Sequence, residues 1–175
     1  MDLLNKFEAP PAPAPDVEMR IRGLMMDPVT NMPIVVLKDV DSELVLPIWV
    51  GMYEANAIAL EIEKATPPRP MTHDLLRNAI RGLNAQVKKV VVSELRDDTF
   101  YAVIWMDQDG ELVTIDARPS DALALALRSD CPIYVSRQVL DNSKLTANGA
   151  QNINSDELRR WLEGLGDEDM GRYKM

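Results

Sequence analysis

The sequence has one cysteine, Cys131, and one histidine, His73, in 175 residues. A lone cysteine excludes an internal disulfide, and with a single histidine no zinc site of the usual Cys/His kind can be assembled. Cys131 sits between Asp130 and Pro132 with no basic cluster nearby, so it reads as a packed small residue rather than a reactive thiol. No stretch approaches the ~20 consecutive apolar residues needed to span a bilayer. The segment Met1 to Asp16 lacks the positive cluster and apolar core of a signal peptide. The expectation is a cytoplasmic protein with no membrane association. Positive charge is also scarce: 19 Lys and Arg against 28 Asp and Glu give a net charge of -9. Tight non-specific binding to nucleic acid needs cations aimed at phosphates, so the bulk composition argues against it. A local basic patch, or carboxylates holding a divalent cation, would still allow phosphodiester chemistry. There is no phosphate-cradling glycine loop and no Gly-x-Ser-x-Gly elbow.

What is present is ordinary globular material, 46% hydrophobic and 27% charged. A chain this long buries roughly 70% of its unfolded surface and needs no staple. Residues 1–16 form a Pro/Ala-rich tail, since Ala9 to Pro15 alternates in a polyproline-type tether. Residues 17–141 read as one α+β domain. Strands are expected over Met19–Met26, Ile34–Lys38, Leu44–Val50, Val87–Leu95, Phe100–Met106, Leu112–Ala117 and Pro132–Val135. Helices are expected over Tyr53–Lys64, from Thr72 to about Leu83, and from Pro119 to Arg128. In the second of these, Leu76, Ala79, Ile80 and Leu83 form the expected inner face. Asp109-Gly110 between alternating apolar runs marks a hairpin. Trp49, Trp105 and Tyr101 are expected in the core. A turn is expected at Val139–Leu140, followed by a polar linker from Ser143 to Asn154. A short amphipathic helix then starts at Ser155, with Leu158, Trp161, Leu162 and Leu165 on one stripe.

Val45–Leu60 and Leu112–Leu127 follow one script of apolar strand, junction, acid and alanine-rich helix. Glu54-Ala55-Asn56-Ala57 aligns without a gap with Asp121-Ala122-Leu123-Ala124. This reads as a duplicated unit of three strands and a helix, in a mixed or antiparallel sheet packed with helices. The two strand-to-helix junctions would then be equivalent positions, and a cleft between them a natural site.

Three blocks now carry a resemblance: Leu46-Pro47-Ile48-Trp49-Val50-Gly51 with Glu54-Ala55; Arg69-Pro70-Met71-Thr72-His73-Asp74; and Asp116-Ala117-Arg118-Pro119-Ser120-Asp121-Ala122. In this order they resemble the signature blocks of the bifunctional nuclease domain family, over about Met19 to Leu140, in a bacterial member. The family's plant members are described as nucleases acting on RNA and DNA. The resemblance implies an α+β fold and a nuclease hydrolysing phosphodiester bonds of both nucleic acids, or a non-catalytic oligomeric binding module on the same scaffold.

Residue roles come from chemistry. Phosphodiester cleavage needs a base, an acid and positive charge on the phosphate. His73, Asp74, Asp116 and Asp121 are the candidate catalytic residues; Arg69, Arg118 and Arg77 are the candidate phosphate binders. Glu54, Asp116 and Asp121 are the candidate ligands for Mg²⁺ or Mn²⁺, hard cations that prefer oxygen. For each there is a structural alternative: helix capping for Asp74 and Asp121, a bracing Asp–Arg pair for Asp116 and Arg118, solvated ion pairs for Arg77. A homo-oligomer is also expected, from the apolar strands on a modest domain and the amphipathic end helix.

Overall fold

The computed structural model describes residues 15–149, with side chains described up to Ser143. The expected C-terminal helix from Ser155, and most of the Pro/Ala-rich tail, lie outside the described residues. The chain runs β1 (Val17–Met26), β2 (Pro33–Asp39), β3 (Val45–Trp49), α1 (Met52–Ile62), α2 (Thr72–Gly82), β4 (Ala85–Arg96), β5 (Thr99–Gln108), β6 (Glu111–Ala117), α3 (Pro119–Ser129), β7 (Ile133–Val135) and α4 (Arg137–Gly149). All seven strands share one sheet in the order β3-β2-β1-β7-β4-β5-β6.

That order displays the duplication. Each unit is a three-stranded antiparallel meander followed by a helix, and the two meanders sit back to back on either side of β7. β7 pairs antiparallel with β1 and parallel with β4. The units therefore run in opposite directions, as a two-fold axis through the sheet requires. The hairpins turn where the sequence indicates. Asp97 and Asp98 have φ of 48° and 57°, and Asp109 and Gly110 have 53° and 86°; left-handed residues in pairs are what tight two-residue hairpins need.

One face of the sheet holds the main core. Met19, Leu37, Ile48, Val90 and Ile104 from the strands pack against Ala55 and Ile58 of α1, Leu123 and Leu125 of α3, and Leu140 of α4. The alanines of α1 and α3 have a purpose here. Ala55, Ala59, Ala122, Ala124 and Ala126 are all buried, and small side chains let the paired helices approach closely. The opposite face carries a smaller cluster of Met25, Ile34 and Val36 beside Val45 and Trp49. The aromatic residues expected in the core are half-buried instead. Lys89 Nζ lies 4.9 Å from the Trp105 ring centre and 5.4 Å from that of Tyr134, while the Arg96 guanidinium covers Tyr101 at 4.6 Å.

Two expectations are overturned. Val139 and Leu140 are not a turn but buried residues of α4, which runs on to Gly149 through part of the expected linker. Ser136 accounts for the start: its hydroxyl oxygen accepts the Val139 N–H at 3.3 Å, as a helix-capping serine does. The second correction is to α2. Leu76, Ala79 and Leu83, expected on its inner face, are exposed; of that set only Ile80 packs against the core. Polar contacts of its first turn with α3, described below, explain the inversion.

Cys131 is half-buried, and burial pushes its thiol up to about 11. At pH 8 the thiolate is then scarce, so alkylation by iodoacetamide should be at least tenfold slower in the folded protein than in 6 M guanidinium. Mass spectrometry of timed samples measures this directly.

Candidate functional site

Each of the helices α1, α2 and α3 places an acid three residues after its N-cap. The pairs are Gly51 and Glu54, Met71 and Asp74, Arg118 and Asp121. A carboxylate there favours the positive end of the helix dipole. Gly51 and Arg118 occupy equivalent places in the two units, so the duplication supplies an acid twice but a cation once. That single guanidinium bridges both. Arg118 donates through Nε to Asp121 Oδ2 at 2.7 Å and pairs through its terminal nitrogen with Glu54 Oε1 at 3.0 Å. A Cβ on Gly51 would collide with the Glu54 carboxylate, so glycine leaves room for Glu54 to reach across.

α2 joins from the side. His73 Nε2 lies 2.9 Å from Asp121 Oδ1, so residues from the first turns of three helices meet around one arginine. Burial acts to raise the Asp121 carboxyl, but hydrogen bonds from Arg118 and His73 outweigh it and hold the group below its usual value. An ionised carboxylate can only accept, so His73 donates to it through Nε2. This is the way a carboxylate fixes the tautomer and orientation of a catalytic imidazole. The His73 side chain is 11% exposed and that of Arg118 66%, so the guanidinium forms the solvent-facing rim over a shielded ring.

Asp74, expected in the catalytic set, has a structural task. Its Oδ1 accepts from Arg128 Nε at 2.7 Å and its Oδ2 from the Met71 N–H at 2.9 Å. Arg128 also donates to the carbonyls of Ala124 and Ala57, each at 2.9 Å. It thereby ties α1, α2 and α3 together from inside, with its side chain 2% exposed. Sequence reasoning missed this residue, because a cation in the last turn of a helix is ordinary dipole complementation. Since His73 and Asp74 both turn towards α3, the polar side of α2 faces the domain and its apolar stripe faces out.

Asp116 does not join the group. β6 alternates, and Ala117 faces Ala102 of the core in the strand register. Asp116 therefore lies exposed on the opposite face, and Arg118 is past the strand end, at the N-cap of α3. Arg77 is half-buried one turn after His73 and donates to Asn78 Oδ1 at 3.1 Å; Arg69 is exposed in the loop before α2. The expected metal ligands do not fit a divalent cation. Glu54 and Asp121 are bridged by a guanidinium where a metal ion would need to sit, and Asp116 is across the sheet. Among the described residues no three His, Cys, Asp or Glu side chains gather into a metal site.

Acid should loosen this junction. Burial acts to raise the Asp74 carboxyl, yet the Met71 N–H and Arg128 hold it low. Carboxyls with depressed folded pKa values contribute stability that is present above the unfolded value of about 3.9 and lost as pH falls through the folded one. The urea midpoint should therefore decline below about pH 5, and decline less steeply in Asp74→Asn; urea titrations between pH 7 and 3 provide the check.

The fold and the site together define a two-fold α+β scaffold with a charged junction where helix N-termini meet. Comparison with known proteins places that scaffold. The model of the bifunctional nuclease domain matches residues 35–148, and the chain belongs to this family. An uncharacterized protein of Mycobacterium tuberculosis is 41% identical over 156 residues, covering 85% of this chain and 92% of its own length. Bifunctional nuclease 1 of Oryza sativa subsp. indica is 29% identical over 115 residues, 63% of this chain and 35% of the plant protein. Bifunctional nuclease 1 of Arabidopsis thaliana is 28% identical over 109 residues, 60% and 34% respectively. The chain thus spans about a third of these plant proteins. No helix among the described residues is long and apolar enough to cross a membrane.

Proposed function

We propose that this protein hydrolyses phosphodiester bonds in RNA and DNA at the junction of Glu54, His73, Arg118 and Asp121. The observation that carries the reading is the 2.9 Å bond between His73 and Asp121, with Arg118 on the same carboxylate. In this arrangement the Arg118 guanidinium binds a phosphate oxygen through the edge not engaged by Glu54 and Asp121. His73 Nδ1 takes a proton from the attacking water as the new P–O bond forms. The bond to the leaving ester oxygen breaks, and that oxygen takes a proton from solvent. Asp121 orients the ring and stabilises the imidazolium. Arg77, on the His73 side of α2, and Arg69, in the loop before it, extend the positive surface for the phosphates that follow. Relatives named bifunctional nucleases support the choice of substrate.

A second reading has one observation behind it. Glu54, Arg118, Asp121 and His73 satisfy one another, and His73 is largely shielded, as in a brace that holds a binding module together. Highly purified protein incubated with end-labelled single-stranded RNA and DNA, with and without EDTA, separates the two. Cleavage in both lanes supports the metal-free mechanism; cleavage only without EDTA makes a cation part of the reaction. Intact substrates in all lanes favour the brace.

A further inference from the structure

The two edges of the sheet are equivalent by duplication but differ in chemistry. Among the described residues β3 forms one edge and β6 the other. Pro47, in the middle of β3, stands four residues before Gly51; Thr114, in the middle of β6, stands four before Arg118. Proline has no N–H, so inside a regular ladder it fits only where that N–H would point away from the neighbouring strand. β3 pairs with β2 through Pro47 without a bulge, so the place of the missing donor faces the outer edge. By equivalence Thr114 turns an intact N–H to its own outer edge, and so do Leu112 and Asp116, two residues to either side. Proline is one of the devices that close a sheet edge to further strands. β3 has it; β6 has no proline, no lysine and no bulge.

We infer that a second copy of this chain pairs with β6, antiparallel and centred on Thr114, so that one sheet runs through both molecules. β6 is complementary to itself in this register. Thr114 meets its own copy, a favourable cross-strand pair. Val113 meets Ile115 of the second copy, covering a side chain that is 45% exposed on the helix side of the sheet. Asp116 meets Leu112 and Glu111 meets Ala117, so no like charges stand opposite each other. A shift of one residue would set the two faces against each other, and a shift of two leaves part of the strand unpaired. The helices leave room for the approach, because α3 packs mainly over β4 and β5. Each β6 leads directly into Arg118, so the pairing also anchors the strand that presents the guanidinium. A seven-residue strand pair is small beside the roughly 800 Å² per partner of a standard interface, so the dimer should form and dissociate with concentration. This inference does not depend on the nuclease reading.

Sedimentation velocity of the full chain over a range of concentrations should show a reversible equilibrium between monomer and dimer. Thr114→Pro copies the arrangement of β3 onto β6. Because the Thr114 N–H points away from β5, this variant should keep its fold by circular dichroism while its dimer dissociation constant rises at least tenfold. Cysteines in a Cys131→Ser background read the register. Val113 and Ile115 of different copies form a pair without hydrogen bonds, with Cα atoms about 4.5 Å apart and within disulfide reach. Each meets its own equivalent only diagonally. Under mild oxidation an equal mixture of Val113→Cys and Ile115→Cys chains should therefore cross-link at least ten times faster than either chain alone. A chain that stays monomeric at every concentration would overturn the proposal. So would a Thr114→Pro dimer as tight as wild type, or equal cross-linking rates.

Discussion

His73→Ala is expected to lower the cleavage rate by a factor of about 100 or more while leaving the fold intact. General base catalysis by a positioned side chain contributes about 10²–10⁴, and no second histidine exists to replace it. Asp121→Asn should have an effect of the same order, roughly 100-fold, because an amide no longer fixes the tautomer that leaves Nδ1 basic. Asp74→Asn provides the contrast. Its carboxylate holds Arg128 and the Met71 N–H, so the rate should change less than about fivefold at neutral pH while stability falls. Single-turnover rates on one labelled RNA, with circular dichroism melts of each variant, yield this ranking. A His73→Ala rate equal to wild type would remove the histidine from the mechanism.

Arg128→Met should be the most destabilising single change in the helical layer. Truncating one partner of a buried ion pair costs about 3–5 kcal/mol, because the other charge stays behind unmatched. Here the carbonyls of Ala57 and Ala124 lose their donor along with Asp74. For a domain of this size, 3 kcal/mol corresponds to a fall in Tm of roughly 10 °C. The double variant Arg128→Met with Asp74→Leu removes the stranded charge and should recover part of the loss. A single variant that melts within 2 °C of wild type would show that the buried guanidinium contributes little.

The duplication was legible because it is a local pattern. Glu54-Ala55 and Asp121-Ala122 stand at matching distances after their strands, and helix and strand periods are written in neighbouring residues. The place of β7 was not, since three residues inserted between β1 and β4 owe their position to pairing with strands far away in sequence. The same distinction runs through the site. His73 and Asp121 are 48 residues apart, and only the packing of α2 on α3 brings them together. An i, i+2 spacing puts Asp116 and Arg118 on one face only within a strand, and the strand ends at Ala117. The packing of the half-buried Ala117 beside Ala102 assigns Asp116 to the other face. The apolar stripe of α2 was visible, but its direction was not: an apolar face normally points inward, and here the His73–Asp121 hydrogen bond and the Asp74–Arg128 ion pair, both to residues far along the chain, turn it out.

Because His73 is the only histidine in the chain, its ring gives a single set of imidazole signals in tag-free protein. The most direct test of the account is an NMR titration of those signals with a short, non-cleavable phosphorothioate oligonucleotide, in wild type and in Arg118→Ala. The account predicts a saturable shift of the His73 signals in wild type that is lost in the variant. Binding that leaves the His73 signals unmoved, or moves them equally without Arg118, would contradict it.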